Sequence, residues 1–279
     1  MQQRAAEAPA CGLALVTGAS SGLGEAFARA YAASGRDLAI VARRQDRLEA
    51  LKAELEARER VRVLVIPADL SHAGAHSTIA ARVAEAGSWV QTLVNNAGFG
   101  VPQDYVDTPW ERQEAFLMTL VVNGCALAHA VLPQMLTRGS GAIINVASLA
   151  GFSPGAAGHT LYPAAKSFAI RFSQSLDAEV RDKGVKVTAV CPGFTRTEFN
   201  LASGTQQLMD AAPRIFWQSA EEVVQTALKA NARGKVVVVP GLHNKVAAAS
   251  LRYLPESLVR AMIARGGAKY RLKAEGGPA

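Results

Sequence analysis

Tyr162 and Lys166 lie four residues apart, and Ser148 precedes them in the chain. A tyrosine phenol has a reference pKa near ~10, which is too high for proton transfer at neutral pH unless the phenolate is stabilised. An ammonium group four residues later on a helix lies on the same face and lowers that pKa. A serine hydroxyl aimed at a carbonyl oxygen polarises the carbonyl and stabilises developing negative charge. The three side chains together predict proton transfer to or from a carbonyl or alcohol oxygen.

A glycine-rich segment near the start of the chain is suited to binding a dinucleotide phosphate. Thr17-Gly18-Ala19-Ser20-Ser21-Gly22-Leu23-Gly24 follows the apolar run 13–16 and precedes an amphipathic stretch at 25–34. A tight turn from strand to helix lets backbone N–H groups and the helix N-terminus approach a pyrophosphate. The spacing is GxxxGxG, not the more common GxGxxG, and a glycine cluster alone usually marks only a turn. Combined with the tyrosine–lysine pair, it indicates carbonyl–alcohol redox chemistry.

Strand-like apolar runs alternate with helical stretches along the chain. The strand-like runs are 13–16, 37–42, 61–66, 90–94, 142–147, 185–190 and 235–239. This alternation predicts an α/β protein with a single Rossmann-like, doubly wound, parallel seven-stranded sheet and helices on both faces. Ser148 directly follows the run 142–147, and the carboxyl ends of parallel strands face the ligand crevice. We therefore expect Ser148 at the edge of the sheet where a dinucleotide binds.

The residues after the second strand-like run favour NADP over NAD. In NAD-preferring dinucleotide folds, a carboxylate at this place binds the ribose 2′-OH and repels a 2′-phosphate. Here the run leads into Ala42-Arg43-Arg44, which offers no acid. Arginine suits a phosphate monoester because its guanidinium donates paired N–H bonds. The alternative interpretation is a solvated arginine pair at the start of a helix.

From about residue 12 to residue 240 the sequence resembles the short-chain dehydrogenases/reductases. The segments that carry the resemblance are TGASSGLG at 17–24, Asp69-Leu70, Asn95-Asn96-Ala97-Gly98, Asn123, Ser148, Tyr162-Pro163-Ala164-Ala165-Lys166 and Pro192-Gly193-Phe194-Thr195-Arg196-Thr197. The resemblance implies an NADP(H)-dependent oxidoreductase that interconverts a carbonyl and a secondary alcohol. Pro163 departs from the usual pattern, in which a small polar residue follows the tyrosine, although proline is tolerated in a first helical turn.

The same resemblance assigns roles to single residues. Asn123, Ser148, Tyr162 and Lys166 correspond to the catalytic tetrad, in which the asparagine helps to hold a water of the proton relay. Arg43 directly follows the position where NAD-dependent members carry their acid, which favours it as the 2′-phosphate ligand. The expected cofactor contacts are Gly18, Ser20, Ser21, Gly22, Leu23, Gly24, Arg43, Asp69, Leu70, Asn96, Ala97, Gly98, Tyr162, Lys166, Pro192, Gly193 and Thr195. Contact through the long helices 109–138 and 162–183 implies a homodimer or homotetramer.

The positive charge of the chain is concentrated at its end. The net charge is +7, and residues 229–279 hold ten Lys or Arg against Glu256 and Glu275. We predict an N-terminal extension at 1–11, a dehydrogenase/reductase domain at 12–241 and a basic helical extension at 242–279, in which Pro255 begins a second helix. Such a helix can contact an anionic membrane, cover the active site, pair with another subunit, attract acidic substrates or simply present a solvated basic face. Nucleic-acid binding is not expected, because no recognition helix or aromatic stacking pattern is evident.

The segment 195–218 is expected to form a substrate lid. Its apolar residues include Phe199, Leu201, Leu208, Met209, Ile215, Phe216 and Trp217. An apolar lid would exclude water from hydride transfer and would cover a hydrophobic pocket. These features favour an apolar small-molecule substrate (steroid-like, acyl or aromatic) over a free sugar.

Several other functions are disfavoured. The three cysteines and five histidines show no disulfide framework and no metal-ligand spacing, so no metal is expected. The chain shows no signal-peptide pattern and no uninterrupted apolar stretch of ~20 residues, so a cytoplasmic protein without a spanning helix is predicted. A non-catalytic dinucleotide-binding sensor or scaffold is the alternative function, because a fold does not fix an activity. An epimerase or dehydratase on the same fold is a further alternative.

Overall fold

Seven parallel strands form one sheet in the computed structural model, which describes residues 12–155, 158, 160–198 and 214–267. The strands are β1 (Leu13–Thr17), β2 (Leu38–Ala42), β3 (Val63–Pro67), β4 (Val90–Asn95), β5 (Gly141–Val146), β6 (Val185–Val190) and β7 (Val237–Val238). Their order across the sheet is β3-β2-β1-β4-β5-β6-β7, and every neighbouring pair is parallel. The predicted doubly wound α/β fold is confirmed.

Helices connect the strands, and two further helices of the described chain follow β7. They are α1 (Gly22–Ala33), α2 (Gln45–Glu59), α3 (Ala75–Glu85), α4 (Trp110–Leu117), α5 (Asn123–Thr137), α6 (Leu161–Val180), α7 (Ala220–Ala232), α8 (Leu242–Tyr253) and α9 (Glu256–Gly267). A π-helical turn, Met118–Val122, joins α4 to α5, and 3-10 turns occupy Leu149–Phe152, Arg181–Lys183 and Arg214–Phe216. As the sequence predicted, Pro255 precedes the last helix, and its carbonyl accepts hydrogen bonds from the N–H groups of Leu258 and Val259.

The strands are largely apolar because both faces of the sheet are covered. Every residue of β1 and β2 is buried, as is typical of a parallel sheet between two helical layers. Side chains of Ala14 and Val16 pack with α1, α2 and α7, whereas Leu13 and Leu15 face α3, α5 and α6. This alternation along one strand divides the core into two layers and leaves the strand ends free to carry loops.

The helical stretch from α4 to α5 is unusually apolar. Trp110–Thr137 is long and apolar enough, by length and composition, to cross a membrane, and it is the one such helix in the described ranges. The absence of an uninterrupted apolar stretch of ~20 residues in the sequence predicted no such helix. Phe116, Leu127, Val131 and Met135 are buried here, and the α5 members of this set face the sheet within the second core layer. Of the most apolar window of this helix, 28% is buried.

β7 is shorter than the predicted run 235–239. It pairs with β6 over two residues, Val237 and Val238, at the edge of the sheet. Pro240 follows closely, and proline has no N–H to extend a ladder of strand hydrogen bonds. The other strands begin and end within about two residues of the predicted runs, as expected where burial rather than a turn residue sets the boundary.

Candidate active site

The end of β5 and the start of α6 bring Ser148, Tyr162 and Lys166 together. Ser148 follows β5 in an extended conformation, and its Oγ accepts a hydrogen bond of 3.1 Å from the N–H of Ala150. The hydroxyl of Tyr162 hydrogen-bonds with Ser148. One helical turn later, Lys166 Nζ lies 5.6 Å from the centre of the Tyr162 ring and donates a hydrogen bond of 2.8 Å to the carbonyl of Val146. The structure therefore joins the three side chains that the sequence singled out.

The first turn of α6 fixes the direction of the Tyr162 side chain. The helix begins at Leu161, so Pro163 falls within the first turn, where a missing N–H leaves no helical hydrogen bond unmade. The Tyr162 ring also packs against Phe116, with 6.5 Å between the ring centres. The proline that departs from the family pattern is thus accommodated in the first turn of α6.

Burial sets the ionisation of this cluster. It raises the pKa of Tyr162, an effect that the hydrogen bond with Ser148 only partly offsets. It also lowers the pKa of Lys166 from 10.5 to about 8. The net direction is upward because desolvation of the phenolate dominates, and the lowering of the Tyr162 pKa by Lys166 stays a prediction. A neutral phenol remains a competent proton donor, which suits reduction of a carbonyl.

The Cys191 thiol lies at the end of β6 close to Lys166. It is fully buried, and burial raises its pKa to about 12 despite the nearby ammonium. The thiol is therefore neutral near physiological pH, and it packs with Ala147, Ile170 and Ala189 in a small apolar cluster. This agrees with the interpretation of Cys191 as a buried structural residue.

The structure does not bring the Asn123 side chain to the other three residues of the predicted tetrad. Asn123 Nδ2 donates hydrogen bonds of 2.8 and 3.0 Å to the carbonyls of Leu70 and His72. Its Oδ1 accepts from the backbone N–H of His76 at 3.3 Å. The amide thus ties α5 to the loop after β3, and a role of Asn123 in proton relay stays a prediction.

A small cavity beside Lys166 is lined in part by Leu120 and Asn145, neither of which was a predicted site residue. Its volume is about 30 Å³, and its lining includes Asn95, Leu120 and Asn145. Asn95 Nδ2 donates to Asn145 Oδ1 at 2.9 Å, and Asn145 Nδ2 donates to Ser173 Oγ at 2.9 Å. The signal was present in the sequence, since an asparagine inside the apolar run 142–147 needs partners when it is buried.

The glycine-rich loop has the shape that a dinucleotide requires. Gly18 and Gly22 have φ values of 68° and 60°, which other residues rarely adopt. A Cβ on Gly24 would lie 2.2 Å from the carbonyl oxygen of Gly18, so the turn leads into α1 only with glycine at this position. Because the glycines leave the backbone N–H groups accessible and the N-terminus of α1 follows, the loop fits a pyrophosphate.

Hydrogen bonds connect this loop to the residues that follow β4. Thr17 Oγ1 accepts from the N–H groups of Asn96 and Ala97 at 2.9 and 3.1 Å. Asn96 Nδ2 donates to the carbonyl of Thr17 at 2.9 Å. Two of the predicted cofactor segments, 17–24 and 96–98, are therefore one continuous surface at the carboxyl edge of the sheet.

The two arginines after β2 point to different neighbours. Arg44 donates to Ser20 Oγ at 2.9 Å and to Ser21 Oγ at 2.8 Å, and so lies against the glycine-rich loop. Arg43 is exposed, and its guanidinium lies 3.9 Å from the carboxylate of Asp69. The preference of the sequence analysis for Arg43 over Arg44 stays a prediction, and the structure adds Arg44 as a candidate ligand of equal standing.

The segment Pro192–Thr197 lies between the catalytic cluster and the base of the predicted lid. The carbonyl of Pro192 accepts from the N–H of Leu149 at 2.9 Å, next to Ser148. Thr195 forms a parallel β-bridge with Gln218, and the backbone groups of Phe194 and Gln218 are hydrogen-bonded at 3.0 Å. The ends of the predicted lid are therefore paired, whereas residues 199–213 lie outside the described residues, as does the loop histidine His159.

The sequence itself identifies the family. Residues 12–208 match the family model of the short chain dehydrogenases. The chain is a short-chain dehydrogenase/reductase. As a member of this family, it is 38% identical over 203 residues to the sulfoacetaldehyde reductase of Chromohalobacter salexigens, a match that covers 71% of this chain and 79% of the relative.

Solved structures of short-chain dehydrogenases/reductases agree with this assignment. A short-chain dehydrogenase from Sphingobium yanoikuyae in complex with NADPH is 30% identical, with a TM-score of 0.77 and coverage of 96% of this chain and 98% of that one. The bulky-bulky ketone specific alcohol dehydrogenase from Comamonas testosteroni is 29% identical, with a TM-score of 0.73 and coverage of 96% and 97%. Family membership thus confirms the resemblance inferred from the motifs and shows an oxidoreductase that uses a nicotinamide dinucleotide.

Proposed function

We propose that this short-chain dehydrogenase/reductase is an NADP(H)-dependent oxidoreductase that interconverts a carbonyl and a secondary alcohol. The observation that carries the proposal is the contact among Ser148, Tyr162 and Lys166 at the sheet edge that also carries the glycine-rich loop. Bound nicotinamide supplies or accepts the hydride. The residues of the chain bind the substrate oxygen and move its proton.

The roles of the three side chains follow from their surroundings. The Ser148 and Tyr162 hydroxyls are hydrogen-bonded, so one carbonyl oxygen can accept from both. In reduction, the phenolic O–H bond of Tyr162 breaks as its proton passes to the developing alkoxide oxygen. Lys166 is buried and held by the carbonyl of Val146, and its ammonium stabilises the phenolate that remains.

The preference for NADP is supported by the residues around the end of β2. Ala42 occupies the end of the strand, where an NAD-preferring fold would carry an acid, and two arginines follow. The Arg44 guanidinium already lies on the serines of the glycine-rich loop. The NADPH complex of the Sphingobium relative provides independent support for the proposal.

Aromatic side chains near the phenol favour an apolar substrate. Phe99 packs edge-on against Phe116 with ring centres 5.7 Å apart, and Phe116 in turn contacts Tyr162. In the segment that follows β6, Phe194 packs against Trp217 with ring centres 5.6 Å apart. A bulky aryl, acyl or steroid-like ketone buries more of this surface than a small hydrophilic aldehyde does.

Turnover of a carbonyl panel tests both parts of the proposal. NADPH absorbance is followed with bulky aryl and steroid-like ketones, acyl aldehydes, sugars and a sulfonated aldehyde. The Tyr162→Phe variant should lose at least about 100-fold in kcat, because the proton donor is removed. Tyr253→Phe is the matched control, since the Tyr253 side chain is 76% exposed. Turnover of hydrophilic carbonyls alone would refute the apolar substrate, and full activity of Tyr162→Phe would refute the mechanism.

A homo-oligomer is part of the same proposal. Val122 and Phe168 lie on the two helical stretches that the resemblance assigns to the dimer contact, and their side chains are 46% and 43% exposed. Apolar side chains this exposed favour burial against a second subunit. Light scattering of the purified protein should give at least twice the chain mass, and a monomer at micromolar concentration would contradict this.

A further inference from the structure

A carboxylate lies next to the candidate 2′-phosphate site. Glu198 Oε2 accepts a hydrogen bond of 2.6 Å from Arg47 Nη1 and one of 3.2 Å from Arg44 Nη1. The two arginines come from the start of α2, whereas the glutamate follows β6, more than 150 residues later in the chain. A single oxygen therefore links two guanidiniums from a distant part of the sequence.

The placement of Glu198 is fixed by its neighbour. Thr197 packs against the glycine-rich loop so closely that a Cβ on Gly22 would come within 3.0 Å of Thr197 Cβ. Glu198 is the next residue, and its side chain is 45% exposed, as open as those of Arg44 and Arg47 at 42% and 44%. The three charged groups thus surround a solvent-accessible position beside Ser20 and Ser21.

The negative charge of Glu198 determines how this group affects the binding of a phosphorylated cofactor. A phosphate monoester carries a charge between −1.5 and −2 near neutral pH and needs the same N–H donors that Glu198 occupies. A carboxylate beside such a phosphate is also repelled by it. An unphosphorylated ribose has no such conflict, because its 2′-OH is neutral. The carboxylate therefore acts on NADPH and leaves NADH largely unaffected.

We propose that Glu198 sets the cofactor selectivity of this protein by competing with the 2′-phosphate for Arg44 and Arg47. The inference rests on the proposed use of NADP(H) and adds the residue that tunes it. Nothing about residues 42–47 alone indicates this partner, since the carboxylate reaches the site from the far end of the sheet.

Cofactor titration of Glu198→Gln tests the inference. The variant should bind NADPH roughly three- to tenfold more tightly than wild type, because an exposed ion pair is lost and two arginines become available. The Kd for NADH should change by less than about twofold. The Kd for adenosine 2′,5′-bisphosphate should fall as the Kd for NADPH does, and the Kd for adenosine 5′-monophosphate should stay nearly constant as the Kd for NADH does.

Two further comparisons isolate the cause. Glu85→Gln is the matched control, since it also removes one negative charge and one exposed pair, with Arg82 at 3.1 Å. It lies at the C-terminal end of α3, which returns the chain to the amino edge of the sheet. In an Arg44→Ala, Arg47→Ala background, Glu198→Gln should tighten NADPH binding less than it does in wild type, because the groups for which it competes are gone and only the direct repulsion is relieved.

The outcomes separate this inference from the proposed function. Unchanged or weaker NADPH binding in Glu198→Gln overturns the role of Glu198; the proposed use of NADPH survives if wild type prefers NADPH and Arg44→Ala abolishes that preference. Equal binding of NADPH and NADH by wild type, unaffected by the arginine variants, overturns both. Tightening of NADPH and NADH to the same extent also overturns the inference, since the effect would then not act through the 2′-phosphate.

Discussion

Replacing Lys166 with methionine should abolish activity and stabilise the protein. Lys166 is 7% exposed, and burial lowers its pKa from 10.5 to about 8. A difference of this size corresponds to about 3 kcal/mol of unfavourable burial of the charged form. Methionine keeps the apolar length of the side chain but loses the hydrogen bond to Val146, which is worth about 1 kcal/mol. The expected net gain in unfolding free energy at pH 7 is therefore about 2 kcal/mol.

The pH dependence of that gain follows from the direction of the pKa change. Below pH 8 the folded protein bears the full cost of the buried charge. As pH rises from about 8 toward 10.5, the folded state has released its proton while the unfolded chain still holds one, so wild-type stability increases with pH relative to the variant. The advantage of Lys166→Met should vanish near about pH 9.5.

Urea unfolding at the two pH values measures this effect. At pH 7 the melting temperature of Lys166→Met should also rise by about 4 to 8 °C. Lys229→Met is the matched control, because Lys229 is exposed on α7, and its stability should not change with pH in this way. A loss of stability at pH 7, or an equal gain at both pH values, would refute the reasoning. Carbonyl turnover should fall at least about 100-fold.

Two further substitutions test how the site is held. Gly24→Ala should lower the unfolding free energy by at least about 2 kcal/mol and abolish dinucleotide binding, because the new Cβ would lie 2.2 Å from the carbonyl oxygen of Gly18. Gly124→Ala, whose Cβ would meet its nearest atoms at 3.8 Å, should change stability by less than about 1 kcal/mol in the same chemical unfolding assay. Asn145→Ala should cost about 2 kcal/mol, measured by the same assay, because a partly buried N–H of Asn95 loses its acceptor.

The predictions for Gly24→Ala and Asn145→Ala can each be contradicted by a specific result. Wild-type dinucleotide binding by the Gly24 variant would show that the loop relaxes without consequence for the pyrophosphate site. An unchanged unfolding free energy in the Asn145 variant would show that water replaces the lost amide. In both cases circular dichroism of the variant confirms that the fold is intact before binding is compared.

Much of the fold and part of the site could be predicted from local patterns. Burial on both faces makes a parallel strand apolar, so the seven strands were visible in the sequence. Ser148, Tyr162 and Lys166 were also predictable, because a strand end and one helical turn fix their relative positions. Where spacing along one element determines a contact, the sequence is sufficient.

Other features depend on contacts between distant segments. Adjacent residues after a strand point in different directions, so the sequence could not show that Arg44 contacts the glycine-rich loop while Arg43 faces Asp69. Asn123 was assigned by resemblance, yet the loop after β3 provides the hydrogen-bond partners of its amide. The pKa of Tyr162 depends on burial, which spacing does not report. Glu198 reaches the arginines only through the fold.

The pairing of Thr195 with Gln218 allows the loop between them to vary in evolution while the catalytic residues stay in place. The chain leaves the sheet and returns to it through a bridge between these two residues, so the stretch between them begins and ends at fixed points. Doubling the length of such a loop costs only about 0.6 kcal/mol in closure entropy. Substitutions and insertions beyond Glu198 in this stretch can therefore be explored while Ser148, Tyr162 and Lys166 keep their positions. The same sheet and catalytic residues can therefore acquire new substrates when the sequence of this loop changes.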